Sequence, residues 1–154
     1  MVNPIALGWW MCTSHEPPML AISVGLRRYS LEVIRHSQSF VLAIPSESMA
    51  RETLLYGTIS GRDQDKLKLA DAGAEPACVI DSLVLTDAVA NFECIVTSEH
   101  VTGDHVIFVG KVVAAHENTQ ADLQHLCTVG PGHRMGGVRS HGTIVHPGDL
   151  KYDN

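Results

Sequence analysis

No lysine or arginine occurs between Leu69 and Gly110, and none of the four cysteines (Cys12, Cys78, Cys94 and Cys127) forms a C-x-x-C pair. Such wide cysteine spacing speaks against a zinc ribbon, a dithiol redox site or a disulfide framework, so a reducing, cytoplasmic setting is expected. No apolar run approaches the roughly 20 residues that a membrane helix needs, which argues against a membrane span. The opening MVNPIALGWWM lacks a basic flank and a small-residue cleavage site, and no signal peptide is expected. No Ser-His-Asp or Cys-His signature stands out. Gly130-Pro131-Gly132 is no dinucleotide fingerprint, since no strand leads into it and no helix follows. Cys12 with His15, and the tail histidines His133, His141 and His146, lack the ligand spacing of known motifs, so no metal site is expected.

What is present describes an ordinary globule. The 154 residues are 45% hydrophobic, enough for one domain with a sizeable core. A formal net charge of -6 argues against a nucleic-acid partner. Yet seven of the eleven basic residues (Arg27, Arg28, Arg35, Arg51, Arg62, Lys66 and Lys68) fall between positions 27 and 68. That asymmetry suits an anionic ligand held by this third of the chain, and it equally suits solvated helix faces.

The stretch with the least ambiguous pattern runs from Ala90 to Ala115. Ala90, Phe92, Cys94 and Val96 alternate with Asn91, Glu93 and Thr97, the period of a strand with one buried face. Thr102, Gly103 and Asp104 supply turn chemistry, and the apolar run from His105 completes a β-hairpin. Gly110 inside that run marks a bulge or a close approach of other atoms. Further strands are expected at Met19 to Val24 and Phe40 to Ile44, and a short kinked one at Cys78 to Thr86. Ser30 and Ser46 read as helix N-caps, Gly57 as a C-cap, and Asp63 or Asp65 as the cap of a short helix bearing Lys66. Ala70 to Pro76 reads as a loop. Backbone N–H groups at the helix start after Arg27 and Arg28 make a phosphate site there chemically sound. Strands in quick succession with one to three short helices point to a mainly β, closed or nearly closed antiparallel barrel. The adjacent Trp9 and Trp10 would face opposite sides of a strand, one in the core or a dimer interface and one free to cover a ligand.

Six motifs in order carry a family resemblance: NPIALGWWM with Ser14, Pro17 and Pro18 after it, AISVGLRRYS, FVLAIP, GTISGRDQDK, FEC and GDHVIFVGKV. Over roughly Asn3 to Gln120 the chain resembles the flavin reductase-like proteins of the FMN-binding split barrel, most closely the flavoredoxin-like branch. The resemblance implies a homodimer of antiparallel split β-barrels that binds FMN near the subunit interface, with NADH or NADPH delivering hydride to the flavin. It implies that Leu7, Gly8, Trp9 and Trp10 lie against the isoalloxazine, and that Ser23, Gly25, Arg28 and Ser30 hold the ribityl chain and phosphate. Ser60, Gly61 and Lys66 would approach the phosphate, and His105 would lie near the nicotinamide as the catalytic residue. For Arg28, Ser30 and Lys66 the alternative is a helix entrance with surface cations; for His105 it is a solvated turn residue.

Two departures accompany the resemblance. Only Met1 and Val2 precede Asn3, where the family carries a first strand, so the expected barrel lacks that strand. Ala6 stands where many relatives have threonine. Residues 121–154, rich in glycine and histidine, are expected to form an extension beyond a domain of residues 1–120, packing on it or on a dimer partner. The leading expectation is an NAD(P)H:flavin oxidoreductase. Its rivals are an FMN electron carrier served by a partner protein, with no nicotinamide site of its own, and a degenerate member that binds no flavin.

Overall fold

The computed structural model describes residues 2–120, 122–128 and 135–137. Its centre is a hairpin of two 13-residue strands, β6 (Ala90–Thr102) and β7 (His105–Glu117), joined through Gly103 and Asp104. Gly103 takes a φ of 59°, a conformation that glycine adopts without a Cβ penalty and that tight hairpin turns require. Two register irregularities in β6, at Glu93/Cys94 and Val96/Ser98, let this long ribbon coil. On the far side of β7 lies β2 (Pro18–Gly25), followed by β1 (Trp10–His15), while β3 (Ser39–Ile44) pairs with β6. The result is one antiparallel sheet in the order β1-β2-β7-β6-β3.

Alternation decides the core. Leu20, Ile22 and Val24 of β2 point to the same face as Val106 and Phe108 of β7, and Leu31 and Ile34 of helix α1 (Tyr29–Ser37) close over them with Phe40, Leu42 and Cys94. Gly110 sits where the Phe40 ring crosses the sheet. A Cβ there would come within 2.7 Å of Phe40 Cε1 and 2.9 Å of Cys94 Cβ, so the expected close approach is that of an aromatic side chain.

Several local expectations shift. The N-cap of α1 is Arg28, at φ -83° and ψ 135°, and Ser30 lies one residue inside the helix with its hydroxyl turned to another partner. Ser46 likewise makes no cap bond; its hydroxyl meets Ser48 Oγ at 2.8 Å, and a 3-10 turn at Glu47–Met49 precedes α2 (Ala50–Thr58). Gly57 belongs to α2, whose C-cap is Ile59; a Cβ on Gly57 would stand 3.3 Å from Ala6 Cβ, so the glycine admits the N-terminal segment. Asp65 caps α3 (Lys66–Ala70) through the Lys68 N–H, as its position predicts.

The region read as a loop followed by one kinked strand is instead a small ladder of β4 (Ala74–Pro76) with β5 (Leu83–Leu85). Between them the backbone N–H groups of Cys78, Val79 and Ile80 bond to the Glu93 carboxylate, so this piece cannot continue a ladder. Beyond residue 120, Leu126 N donates to Pro45 O and Glu47 N to Gln124 O, which seats that short segment on the domain, and β8 (Leu126–Thr128) pairs with β9 (Met135–Gly137). The tail histidines His133, His141 and His146 fall outside the described residues. Among the described residues no helix is long and apolar enough to cross a membrane.

Candidate functional site

The segment from Asn3 to Trp9 runs in front of the helix entrances and gathers them. Its first anchor is Asn3, whose Nδ2 donates to Ser30 Oγ at 2.8 Å. Its second is Lys66. This side chain is 5% exposed, and its Nζ donates to Pro4 O at 2.7 Å and to Tyr56 O at 3.1 Å. Burial, and next the nearby Arg28 guanidinium, hold the Lys66 pKa below the usual lysine value. Neither Lys66 nor Arg28 forms an ion pair with a carboxylate of the described residues. Two cations thus stand close together without a counter-ion, and the Lys66 ammonium has three hydrogens but only two carbonyl acceptors.

Beside them opens a cleft of about 410 Å³ whose walls include Asn3, Gly61, Arg62 and Lys66 and also the acidic Asp63 and Asp65. Gly61 is packed directly on the Asn3 amide, and a Cβ at this position would collide with it. Asn3 Oδ1 is buried and has no hydrogen-bond partner among the described residues. Arg62 closes one side, paired with Glu32 and stacked 4.9 Å from the centre of the Tyr29 ring. Ser60 stands apart from these walls: its hydroxyl accepts the Arg62 N–H at 3.2 Å and its carbonyl those of Asp63 and Gln64, so it shapes the turn.

A second group lies at the end of the β2–β7 ladder. Gly25 pairs with His105, and a Cβ on Gly25 would meet Arg28 Cγ at 3.5 Å and His105 Nε2 at 3.6 Å, ordinary contacts. His105 Nδ1 is 2.6 Å from Asp104 Oδ1, and the His105 ring lies 4.8 Å from that of Trp9 at a tilt of 45°. The hydrogen bond and charge of His105 lower the pKa of the exposed Asp104 carboxyl. Ser23 donates its N–H to Trp9 O at 3.0 Å, which fixes Trp9 beside β2. Leu7 packs partly into the core and Gly8 faces open space. Trp9 is 66% and Trp10 41% exposed, so neither tryptophan is a core residue of this chain; β1 is the edge strand of the sheet.

The structure therefore brings Gly25, Arg28, Ser30, Gly61, Lys66, Trp9 and His105 to one side of the fold and leaves Ser60, Gly8 and Trp10 at its margin. Sequence reasoning gave Asp104 only a turn role, counted Arg62 among the clustered basic residues, and assigned Asn3 no site role. Asn3 meets Ser30 across 27 residues, and no local periodicity reports such a contact. An Asp-His pair in a hairpin turn was legible, because adjacent residues at a tight turn readily face each other.

An antiparallel sheet with basic helix entrances at one edge and an apolar, aromatic segment across them defines a split barrel with a cleft beside Lys66. The chain belongs to the flavin reductase like domain family, whose sequence model matches residues 2–130. It is 32% identical over 112 residues to an uncharacterized protein of Pyrococcus abyssi, covering 73% of this chain and 64% of that one. The chain spans just under two thirds of the length of such curated relatives, 63% for one from Archaeoglobus fulgidus. Among solved structures it resembles flavoredoxin from Methanosarcina acetivorans (TM-score 0.78, 25% identity, 92% of this chain and 80% of that one). It also resembles an NADH:FAD oxidoreductase of Streptomyces globisporus C-1027 (TM-score 0.68, 18% identity, 76% and 68%). These likenesses agree on the mainly antiparallel split-barrel fold.

Proposed function

We propose that this chain binds FMN and transfers hydride to it from NADH or NADPH. The observation that carries the reading is the Arg28–Lys66 pair, two neighbouring cations at the entrances of α1 and α3, neither ion-paired with a carboxylate of the described residues and one of them buried. A dianionic phosphate matches that charge, and the third Lys66 hydrogen and the Arg28 fork can donate to it. Ser30 and Gly25 border the same place. Asn3, through its bond to Ser30 Oγ, holds the N-terminal segment against this place. Bound FMN would supply the redox chemistry, accepting hydride from a reduced nicotinamide. The chain's residues then have binding tasks: Leu7 and Trp9 give an apolar wall with Gly8 open between them, Gly61 admits the Asn3 amide, and Trp9 and Asp104 hold the His105 ring. His105 is the group that would orient the nicotinamide.

We further infer a homodimer in the cytoplasm. Trp10 and Met11 on β1 are 41% and 57% exposed, apolar surface at a sheet edge that a second copy would cover. The likeness to flavoredoxin favours one other reading, an FMN electron carrier reduced by a partner protein. The experiment is the visible spectrum of the purified protein with FMN, followed by anaerobic NADH or NADPH. A bound-flavin band that bleaches supports the reductase. A band that persists supports the carrier, and absence of any bound flavin overturns both.

A further inference from the structure

Outside the lining of that cleft, Glu93 is fully buried, and its carboxylate takes four hydrogen bonds. Oε1 accepts from Cys78 N at 2.7 Å and stands 2.6 Å from His116 Nε2; Oε2 accepts from Val79 N at 2.8 Å and Ile80 N at 3.1 Å. His116 comes from β7 and Cys78 from the turn between β4 and β5. The Cys78, Glu93 and His116 donor atoms all lie within 4.8 Å of one another. No reductase or carrier role uses these residues.

We propose that Cys78, Glu93 and His116 form a binding site for a divalent transition-metal ion of zinc type, with a fourth position open to solvent. Thiolate, imidazole and carboxylate together are a donor set that zinc accepts, and three protein ligands plus water is its usual open arrangement. The ligands differ in how firmly they are held. Glu93 is fixed by three backbone N–H groups, which orient the carboxylate as outer partners orient metal ligands elsewhere. Cys78 is exposed and the His116 side chain is 29% exposed, so both can turn, and solvent reaches the fourth position.

The distances fit a site that closes on its ion. With zinc at about 2.0–2.1 Å from nitrogen or oxygen and about 2.3 Å from sulfur, tetrahedral donors stand about 3.3–3.7 Å apart. His116 Nε2 and Glu93 Oε1 must separate slightly from 2.6 Å, and the thiol must draw in. On binding, the thiol proton leaves to solvent and the neutral His116 imidazole keeps its hydrogen on Nδ1, leaving Nε2 to face the ion; uptake of one ion therefore releases a proton and strengthens as pH rises. A structural ion pair alone would need His116 and Glu93 but not the thiol, which makes Cys78 the diagnostic residue.

The test uses the full chain and two probes, Zn²⁺ alone by calorimetry and Co²⁺ alone by absorption. The expected result is one ion per chain, a sulfur-to-cobalt charge-transfer band, and a rise in melting temperature with Zn²⁺. Cys78→Ser should abolish the band and the melting shift and weaken Zn²⁺ at least tenfold, with circular dichroism unchanged because the side chain is exposed. His116→Ala should weaken Zn²⁺ comparably. Cys127→Ser, which removes the thiol 3.9 Å from His125 Nδ1, and alanine at His133, His141 and His146 together should leave the Cys78-dependent ion in place. Binding that survives Cys78→Ser, or that disappears with the tail histidines or Cys127, overturns the proposal. So does a chain that takes up neither ion.

Discussion

Lys66 Nζ and Pro4 O, 62 residues apart, are joined by a hydrogen bond of 2.7 Å. This bond ties the N-terminal segment to the start of α3 and so brings both sides of the cleft together. The same ammonium holds the C-terminal end of α2 through Tyr56 O.

Lys66→Met should therefore act on both stability and ligand binding. Removing a charged donor leaves the Pro4 and Tyr56 carbonyls without it, a loss of about 1.5–3 kcal/mol on the scale of hydrogen bonds to charged groups. Urea unfolding checks that figure. Fluorescence titration with FMN should show at least tenfold weaker binding, and Arg28→Ala combined with it should weaken binding further. Equal FMN affinity in the double variant would refute the phosphate assignment.

Gly110→Ala should destabilise the sheet without touching the cleft. The new methyl would press on Phe40 and on Cys94 Cβ, at 2.7 Å and 2.9 Å, inside a packed core. Overpacking of this kind costs about 1–3 kcal/mol. Thermal melting of the variant, with FMN binding unchanged, is the expected pair of results.

Glu93 sets an acid limit. Burial alone would raise its pKa, but the N–H groups of Cys78, Val79 and Ile80 together with His116 outweigh it and bring the value from 4.5 down to about 2. A folded pKa below the unfolded one means that the unfolded chain binds the proton more readily. The stabilising contribution is thus complete above about 4.5 and declines as pH falls toward about 2. Unfolding of the metal-free protein across that range should show the decline. In Glu93→Gln the protein should be less stable at neutral pH and this part of the pH dependence should vanish.

Asp104→Asn isolates a positioning role. His105 Nδ1 meets Asp104 Oδ1 at 2.6 Å, which favours the tautomer with the proton on Nδ1 and leaves Nε2 toward Gly25. His105→Ala should reduce NADH-driven flavin reduction in part, mainly through KM for the nicotinamide. Asp104→Asn should give a smaller loss and shift its pH profile. Unchanged kinetics in both variants would remove His105 from the proposed reaction.

Much of the frame was legible because it rests on local pattern. The alternation from Ala90 onward and the Gly103-Asp104 turn gave the central hairpin, and Asp65 was readable as a cap from its place before Lys66. The cap position at Ser30 was misread because serine is also at home inside a helix, while Ser46 does stand at the N-cap of the 3-10 turn before α2 but turns its hydroxyl to Ser48. The strand expected at Cys78 to Thr86 is cut down to Leu83–Leu85 for a different reason. Its N–H groups found a distant carboxylate, and composition cannot report a partner 13 to 15 residues away.

Within the chain itself, period-two hydrophobicity, turn residues and the motif order determined the sheet, the hairpin and the family. These are properties of neighbours in sequence. Tertiary structure alone decided that Lys66 is buried beside Arg28, that Asn3 meets Ser30, that Phe40 covers Gly110, and that Cys78, Glu93 and His116 converge. Each of those pairings joins segments distant in sequence whose meeting is set by packing of the whole fold. A charge or a thiol acquires its chemical role only when that packing has chosen its neighbours.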